Sequence, residues 1–420
     1  MKKTTRKQKS RKKAAPAKKN MTVKTVAAAM FVLVFCFAIA VPVILLDKKT
    51  TISMLERRQL AGRPQIAMNG KPDIANIASW PRQIDAYITD RFAFRSRLMT
   101  LTTWVNFFVL HKSHDKKILV GKDKWLFYID KSLGDEFANF KKSNLFTESQ
   151  MKNFIEHLEL AKETCDRYNI KFIFLMVPTT SSVYPEQYPF PRPKGMSRAD
   201  QILAALPEHL RDNVVFPLDY LVSKKKEHPQ PLYYNNGLHW TKLGCYYTYE
   251  MLRQKLNPSF PNLPELEFKF IPYKDPGEDN YTILWWGIKK FGDFLQLLRV
   301  EPVDGWENHY KYLVCKNIEE NEFNTVVGNA SKKGKYGVIT ENKDKSLPTA
   351  LVMRDSYFVD LEPFTSSMFS FAEYVWTQPE KRNIQYLEQM PQKPDVFIWE
   401  IAERGLEAIP MMPPGMFPYD

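Results

Sequence analysis

Two segments of the chain carry residue types suited to acyl-transfer chemistry. Arg354-Asp355-Ser356-Tyr357 follows the apolar run Ala350-Leu351-Val352-Met353 and precedes a helix expected from about Phe358. A serine in a strand-to-helix turn sits where amides at the helix start can stabilise an anion, which makes Ser356 a candidate nucleophile. Asp355 and Ser356 would equally serve as caps of that helix, so the local pattern leaves both roles open. The second segment is Tyr233-Tyr234-Asn235-Asn236-Gly237-Leu238-His239-Trp240-Thr241-Lys242-Leu243-Gly244. Asn and Gly make it a loop, and Thr241 is suited to cap a helix from Lys242 to about Leu256. His239 then lies at a loop-to-helix junction, where it is either a general base or a structural histidine. A serine beside an imidazole is the usual way to activate a hydroxyl for attack on an acyl carbonyl.

The elements that must position these residues are legible from hydrophobic patterning. Lys171–Pro178 is a nearly continuous apolar run bounded by proline, as expected of a strand covered on both faces. Asn213–Phe216, Ala350–Met353 and Val396–Trp399 repeat the pattern with helix-length segments between them, which predicts an α/β domain with a mostly parallel sheet. Residues 147–168 read as an amphipathic helix with Thr147 as N-cap and Gln150 three residues on. Trp125-Leu126-Phe127-Tyr128 reads as a short strand after the turn Gly121–Lys124. In such sheets ligands gather outside the carboxyl ends of the strands, so residues after each strand are the ones to weigh. That selects Ser356, and also Glu403 and Arg404, which form an ion pair or contact substrate. Pro258–Lys345, rich in Pro, aromatics and charge, is an insertion or a covering subdomain. Its Trp285-Trp286, like Tyr233-Tyr234, could stack on sugar rings or simply cover a core.

Composition narrows the class. The 420 residues are 44% hydrophobic and 14% aromatic with 16 Gly and 29 Pro, a globular profile that excludes collagen, coiled coil and wholesale disorder. The formal net charge is +13, but residues 1–24 hold eleven Lys or Arg and no acid, so the remainder is close to neutral. Nucleic-acid binding by the folded part is therefore ruled down. Thr25–Leu46 is uncharged and long enough to span a bilayer, and the positive-inside rule puts the basic tail in the cytoplasm. The organisation expected is a basic cytoplasmic tail (1–24), a transmembrane signal anchor (25–46), a stalk and helical lead-in (47–110) and the catalytic-type domain (111–420) with its insertion at about 258–345. The protein would then be single-pass in the cell (inner) membrane with its bulk extracytoplasmic. A cleaved signal peptide ending near Ala38-Ile39-Ala40 also places the bulk outside. Of four cysteines, Cys36 lies in the apolar run, and Cys165, Cys245 and Cys315 lack metal-type spacing. His111 and His114 beside Asp115 read better as a solvated helix end than as a metal site.

Five blocks in order then carry a resemblance over roughly residues 55–420: Ile88–Arg95, Gly121–Phe127, His239-Trp240-Thr241, Arg354–Tyr357 and Pro394–Arg404. Together they resemble SGNH-hydrolase-like polysaccharide O-acetylation proteins of the alginate AlgX/AlgJ type, in which the histidine motif precedes the serine. The resemblance implies an SGNH-like three-layer α/β/α sandwich, Ser356 as nucleophile and His239 as base. It also implies a multi-spanning membrane-bound O-acyltransferase as acetyl donor, a polysaccharide substrate, and no cofactor or metal. Tyr357, Asn236, Trp240 and Arg404 flank the pair and are candidates for substrate contacts. Two departures stand out. The family has Asp-x-His-Trp where this chain has Gly237, and Arg354 occupies a place where a small residue is usual. The lost carboxylate would orient the imidazole and stabilise its protonated form, a role for which Asp219 or the Asn235-Asn236 pair is the candidate substitute. Three readings follow: an O-acetyltransferase, a degenerate carbohydrate-binding scaffold of the same machinery, and a carbohydrate esterase.

The charge bias generates a test of topology. Protease added to intact spheroplasts is expected to remove residues 47–420 and spare the basic tail; protection of the whole chain would refute the orientation.

Overall fold

The computed structural model describes residues 23–418 apart from 54–57, 69–70, 73, 114, 133, 135, 272–311, 316–323 and 330–336. Trp285, Trp286 and His114 lie outside the described residues. The chain divides into two compact units, Met1–Leu98 and Met99–Asp420.

In the first unit, helix α1 (Val23–Ile44) is long and apolar enough to cross a membrane. Helix α2 (Ile74–Arg91) is tied to the chain that follows α1: the Asp47 amide donates to the Arg91 carbonyl at 2.8 Å. The Arg91 guanidinium, itself buried, donates to the carbonyls of Asp47, Thr50 and Ala61. Helix α3 (Arg95–Trp104) begins after Phe94, whose φ of 64° interrupts the expected helical lead-in.

The second unit opens with a hairpin of β1 (Ile118–Val120) and β2 (Leu126–Tyr128). Helix α4 (Glu136–Lys141) and helix α5 (Glu148–Arg167) follow. The N-terminus of α5 carries the expected capping box: the Gln150 amide donates to the Thr147 hydroxyl and the Thr147 amide donates to the Gln150 side chain. Then come β3 (Lys171–Val177), the short α6 (Thr180–Val183), β4 (Val214–Val215), α7 (Leu218–Lys224) and α8 (Lys242–Leu256). The last stretch supplies β5 (Asn324–Asn329), β6 (Gly337–Asn342), β7 (Thr349–Met353), α9 (Phe358–Ser366), β8 (Phe371–Val375) and β9 (Val396–Ala402).

Seven of these strands form one sheet in the order β5-β6-β8-β7-β9-β3-β4. From β8 to β4 every pairing is parallel, and β6 and β5 close the other edge antiparallel. Part of the 258–345 stretch thus extends the main sheet. Its mix of apolar and polar residues (Val338-Ile339-Thr340-Glu341-Asn342) suits a strand toward an edge better than a doubly covered centre. The strand β8 also joins the four expected from apolar runs; Glu373 and Tyr374 within it interrupt the apolar signal.

Strand side chains alternate between two cores. Ile173, Leu175 and Val177 of β3, Ala350 and Val352 of β7, and Val396 and Ile398 of β9 pack with residues of α8 and α9. Phe172, Phe174 and Met176, Leu351 and Met353, and Phe397, Trp399 and Ile401 face the other way, against Phe154, Leu158 and Cys165 of α5. The result is an α/β/α sandwich, and double coverage is why these strands read as unbroken apolar runs. Its carboxyl edge, where β7, β9 and β3 end, is left for polar residues.

Loss of the α5 cap gives a stability test. Thr147→Ala is expected to cost about 1 kcal/mol, seen as a lower denaturation midpoint with an unchanged slope.

Candidate active site

Ser356 sits in the turn between β7 and α9. Its neighbour Asp355 is fully buried and braces the turn from both sides. One carboxylate oxygen accepts from the Tyr357 amide at 2.8 Å, and the other accepts from the Ala402 amide at the end of β9 at 2.7 Å. The Asp355 amide donates in turn to the Glu400 carboxylate on β9 at 2.9 Å. Asp355 therefore ties the serine turn to the neighbouring strand, and Tyr357 holds the N-cap position of α9 without a side-chain bond. Because the Tyr357 amide is taken by Asp355, it is not a donor for an oxyanion.

The buried Arg354 guanidinium donates to the Asp355 carbonyl, in the peptide that leads into Ser356, at 3.2 Å. Its guanidinium lies 4.9 Å from the Trp376 ring centre and 3.3 Å from the Glu362 carboxylate. Burial lowers the Arg354 pKa and raises that of Glu362 from the ordinary carboxylate value.

The histidine loop is closed on itself before α8. The Thr241 amide donates to the Leu232 carbonyl at 2.8 Å, and the Tyr234 amide donates to the His239 carbonyl at 3.2 Å. Thr241 occupies the N-cap of α8, but its hydroxyl donates to the Pro231 carbonyl, so it fastens the loop and leaves the helix start uncapped by its side chain. Gly244 permits this closure: a Cβ there would meet the Leu232 carbonyl oxygen at 2.4 Å. The loop also rests on the β1–β2 hairpin, with the Leu126 amide donating to the Asn235 carbonyl at 2.7 Å.

Helices α8 and α9 pack side by side, so the residues at their starts meet. His239 Nε2 lies 3.1 Å from Ser356 Oγ, and both residues are partly exposed. That distance and exposure fit a hydroxyl that hands its proton to an imidazole when a carbonyl approaches.

The other candidates fall into different environments. Trp240 and Tyr357 are both fully buried: the Trp240 indole N–H donates to the Tyr357 carbonyl at 2.9 Å, and the Tyr357 hydroxyl donates to the Leu238 carbonyl. Neither presents a face for stacking on a substrate. Tyr233 is likewise buried, its hydroxyl donating to the Pro178 carbonyl. Asn236 is buried and its side-chain oxygen has no hydrogen-bond partner. Asp219 is exposed, in the first turn of α7. Gly237 is not among the positive-φ glycines of the described residues, which are Gly134, Gly195 and Gly415. Among the described residues no group of three or more His, Cys, Asp or Glu could hold a metal ion.

Arg404 is buried with its guanidinium 5.3 Å from the Tyr357 ring centre. Glu403 points elsewhere, accepting from the Ser182 hydroxyl and from the Thr179 amide at 3.3 Å. Beneath them Glu136 of α4 accepts from the Ser181 amide at 3.1 Å. Burial pushes the Glu136 pKa up to about 7 against the attraction of Arg404, and the Glu403 carboxylate adds to the rise. Glu403 is raised as well, again chiefly by burial. Sequence reasoning missed Glu136 and Glu400. Glu400 had a signal, as the one acid in the apolar run Val396–Ala402; Glu136 lies in a short helix with no motif.

With this geometry in place, comparison with known proteins becomes informative. Residues 118–279 match a family described as the SGNH hydrolase-like domain of the acetyltransferase AlgX. This stretch is AlgX-like. The AlgX-like stretch contains His239 and ends before Ser356. No curated protein matches the chain. Among solved structures, Bacillus cereus PatB1 aligns at 14% identity over 69% of this chain and 96% of its own, with a TM-score of 0.46. The O-acetyltransferase domain of Pseudomonas putida AlgJ aligns at 18% identity over 69% and 92%, with a TM-score of 0.40. Pseudomonas aeruginosa AlgX aligns at 13% identity over 68% and 61%, with a TM-score of 0.35.

The raised carboxyl of Glu136 has a pH consequence. Its folded pKa of about 7 exceeds the unfolded value of 4.5, so the native state holds the proton more tightly. This contribution to stability is full below about pH 4.5 and declines as pH rises toward 7. Glu136→Gln is expected to flatten that part of the stability profile in denaturant titrations run at several pH values, making the variant relatively more stable above pH 7.

Proposed function

We propose that this protein is a membrane-anchored extracytoplasmic O-acetyltransferase that places acetyl groups on hydroxyls of an exported or cell-surface polysaccharide. The observation that carries this reading is the 3.1 Å approach of His239 Nε2 to Ser356 Oγ at the carboxyl edge of a mostly parallel sheet. The AlgX-like match over residues 118–279 supports the acyl-transfer class, and helix α1 supports the anchor.

In the first half-reaction Ser356 Oγ attacks the carbonyl of an acetyl donor while His239 Nε2 takes the hydroxyl proton. The tetrahedral intermediate collapses, the donor leaves with the proton returned by His239, and an acetyl-serine remains. In the second, His239 removes the proton of a sugar hydroxyl as that oxygen attacks the acetyl-serine. The new ester departs and Ser356 regains its proton from the imidazole, which completes a ping-pong cycle. One membrane helix cannot carry an acetyl group across the bilayer. The donor we infer is therefore a multi-spanning membrane-bound O-acyltransferase.

Activity toward an activated acetyl ester tests the dyad. The full chain in detergent is expected to release acetate, and Ser356→Ala and His239→Ala are expected to reduce the rate to background. Gly237→Asp is expected to raise it, because a carboxylate two residues before the imidazole can offset its developing charge. Equal rates for the parent and Ser356→Ala would overturn the acetyl-serine reading.

A further inference from the structure

Ser356 and His239 belong to segments 117 residues apart, and each stands on a loop. Two hydrogen bonds cross between those loops in opposite senses. Tyr357, the residue after the serine, sends its hydroxyl to the carbonyl of Leu238, the residue before the histidine. Trp240, the residue after the histidine, sends its indole N–H to the carbonyl of Tyr357. Each donor side chain is fully buried, and each acceptor is a backbone atom next to the dyad or one residue from it. The Tyr357 ring centre is 4.8 Å from that of His239, so the same side chain also walls the imidazole.

We propose that the crossed Trp240–Tyr357 pair is the positioning device of the Ser–His dyad, holding the two loops in register before any substrate arrives. Its catalytic consequence rests on the function proposed above, whereas the register it sets does not. The Nε2–Oγ contact joins two partly exposed side chains, and a water-accessible hydrogen bond contributes little toward fixing loops. The crossed bonds are buried, where losing a donor leaves a carbonyl unpaired and is penalised heavily. Because the donors point in opposite senses, a slide of either loop stretches both bonds. Trp240 and Tyr357 thus act through His239 and Ser356 and do not themselves touch the reacting atoms.

The test uses the full chain in detergent micelles with histidine labelled by ¹³C at ring Cε1. The His239 signal is identified by its loss in His239→Gln. Parent, Ser356→Ala, Tyr357→Phe and Trp240→Phe are titrated side by side, and each is melted. Tyr357→Phe removes only an oxygen and serves as the deciding variant if Trp240→Phe fails to fold. Both variants are expected to move the His239 signal and its titration midpoint toward the Ser356→Ala values, with the Tyr357→Phe melting temperature close to that of the parent. Inactivation of Ser356 by phenylmethylsulfonyl fluoride is expected to slow about tenfold in each, the scale expected of a sub-ångström misplacement. An unmoved His239 signal in folded Tyr357→Phe overturns the proposal, whether or not the chain reacts with the sulfonyl fluoride. A shift confined to Tyr357→Phe, with folded Trp240→Phe unmoved, overturns the paired device. A parent inert to the reagent that nevertheless shows both shifts refutes the acetyl-serine reading and supports the positioning device.

Discussion

A parallel sheet covered on both faces can admit polar chemistry only at its ends, and the carboxylate of Asp355 turns one of those ends into a site. It accepts from the Tyr357 amide on its own turn and from the Ala402 amide on the next strand. A buried carboxylate needs such partners, and here they are backbone groups that define where β7 stops and where α9 begins. Ser356 inherits its place from that arrangement. Without the brace, one strand end and a helix start would be left with unpaired donors, and the serine would have no fixed position relative to β9.

Charge is handled differently on the two sides of the serine turn. On one side the buried Arg354 pairs with the partly buried Glu362, with Trp376 against the guanidinium. On the other, Arg404 lies against Tyr357, and the buried Glu136 and Glu403 carry raised carboxyl pKa values. Buried ionic groups of this kind seldom add much net stability, because desolvation offsets their attraction. They do restrict which arrangements are acceptable, since each misplacement strands a charge. The dyad is thus flanked by clusters that favour one geometry of the carboxyl edge.

Much of the architecture was legible because periodicity reports burial directly. The runs at Lys171–Pro178, Ala350–Met353 and Val396–Trp399 became central strands, and Thr147 with Gln150 formed the capping box that their spacing implied. Strand β8 and the antiparallel β6 were harder to read, since Glu373, Thr340 and Glu341 break the apolar pattern at positions that only the tertiary neighbours explain. The roles of Trp240 and Tyr357 were beyond patterning altogether. An aromatic residue next to a candidate catalytic group looks the same in sequence whether it faces a substrate or is buried, and here both rings are buried.

The 117-residue separation of Ser356 and His239 bears on how freely the chain between them can vary. Its two anchors are α8 and α9, which pack on each other, and the chain between them also supplies β5, β6 and β7 of the sheet. The entropy of closing such a loop grows with the logarithm of its length, and doubling it costs only about 0.6 kcal/mol. Length changes in the chain between these anchors that leave β6 and β7 paired in the sheet therefore carry a small thermodynamic cost while the dyad keeps its spacing. A chain built this way can change the surface it offers to large partners without rebuilding its chemistry.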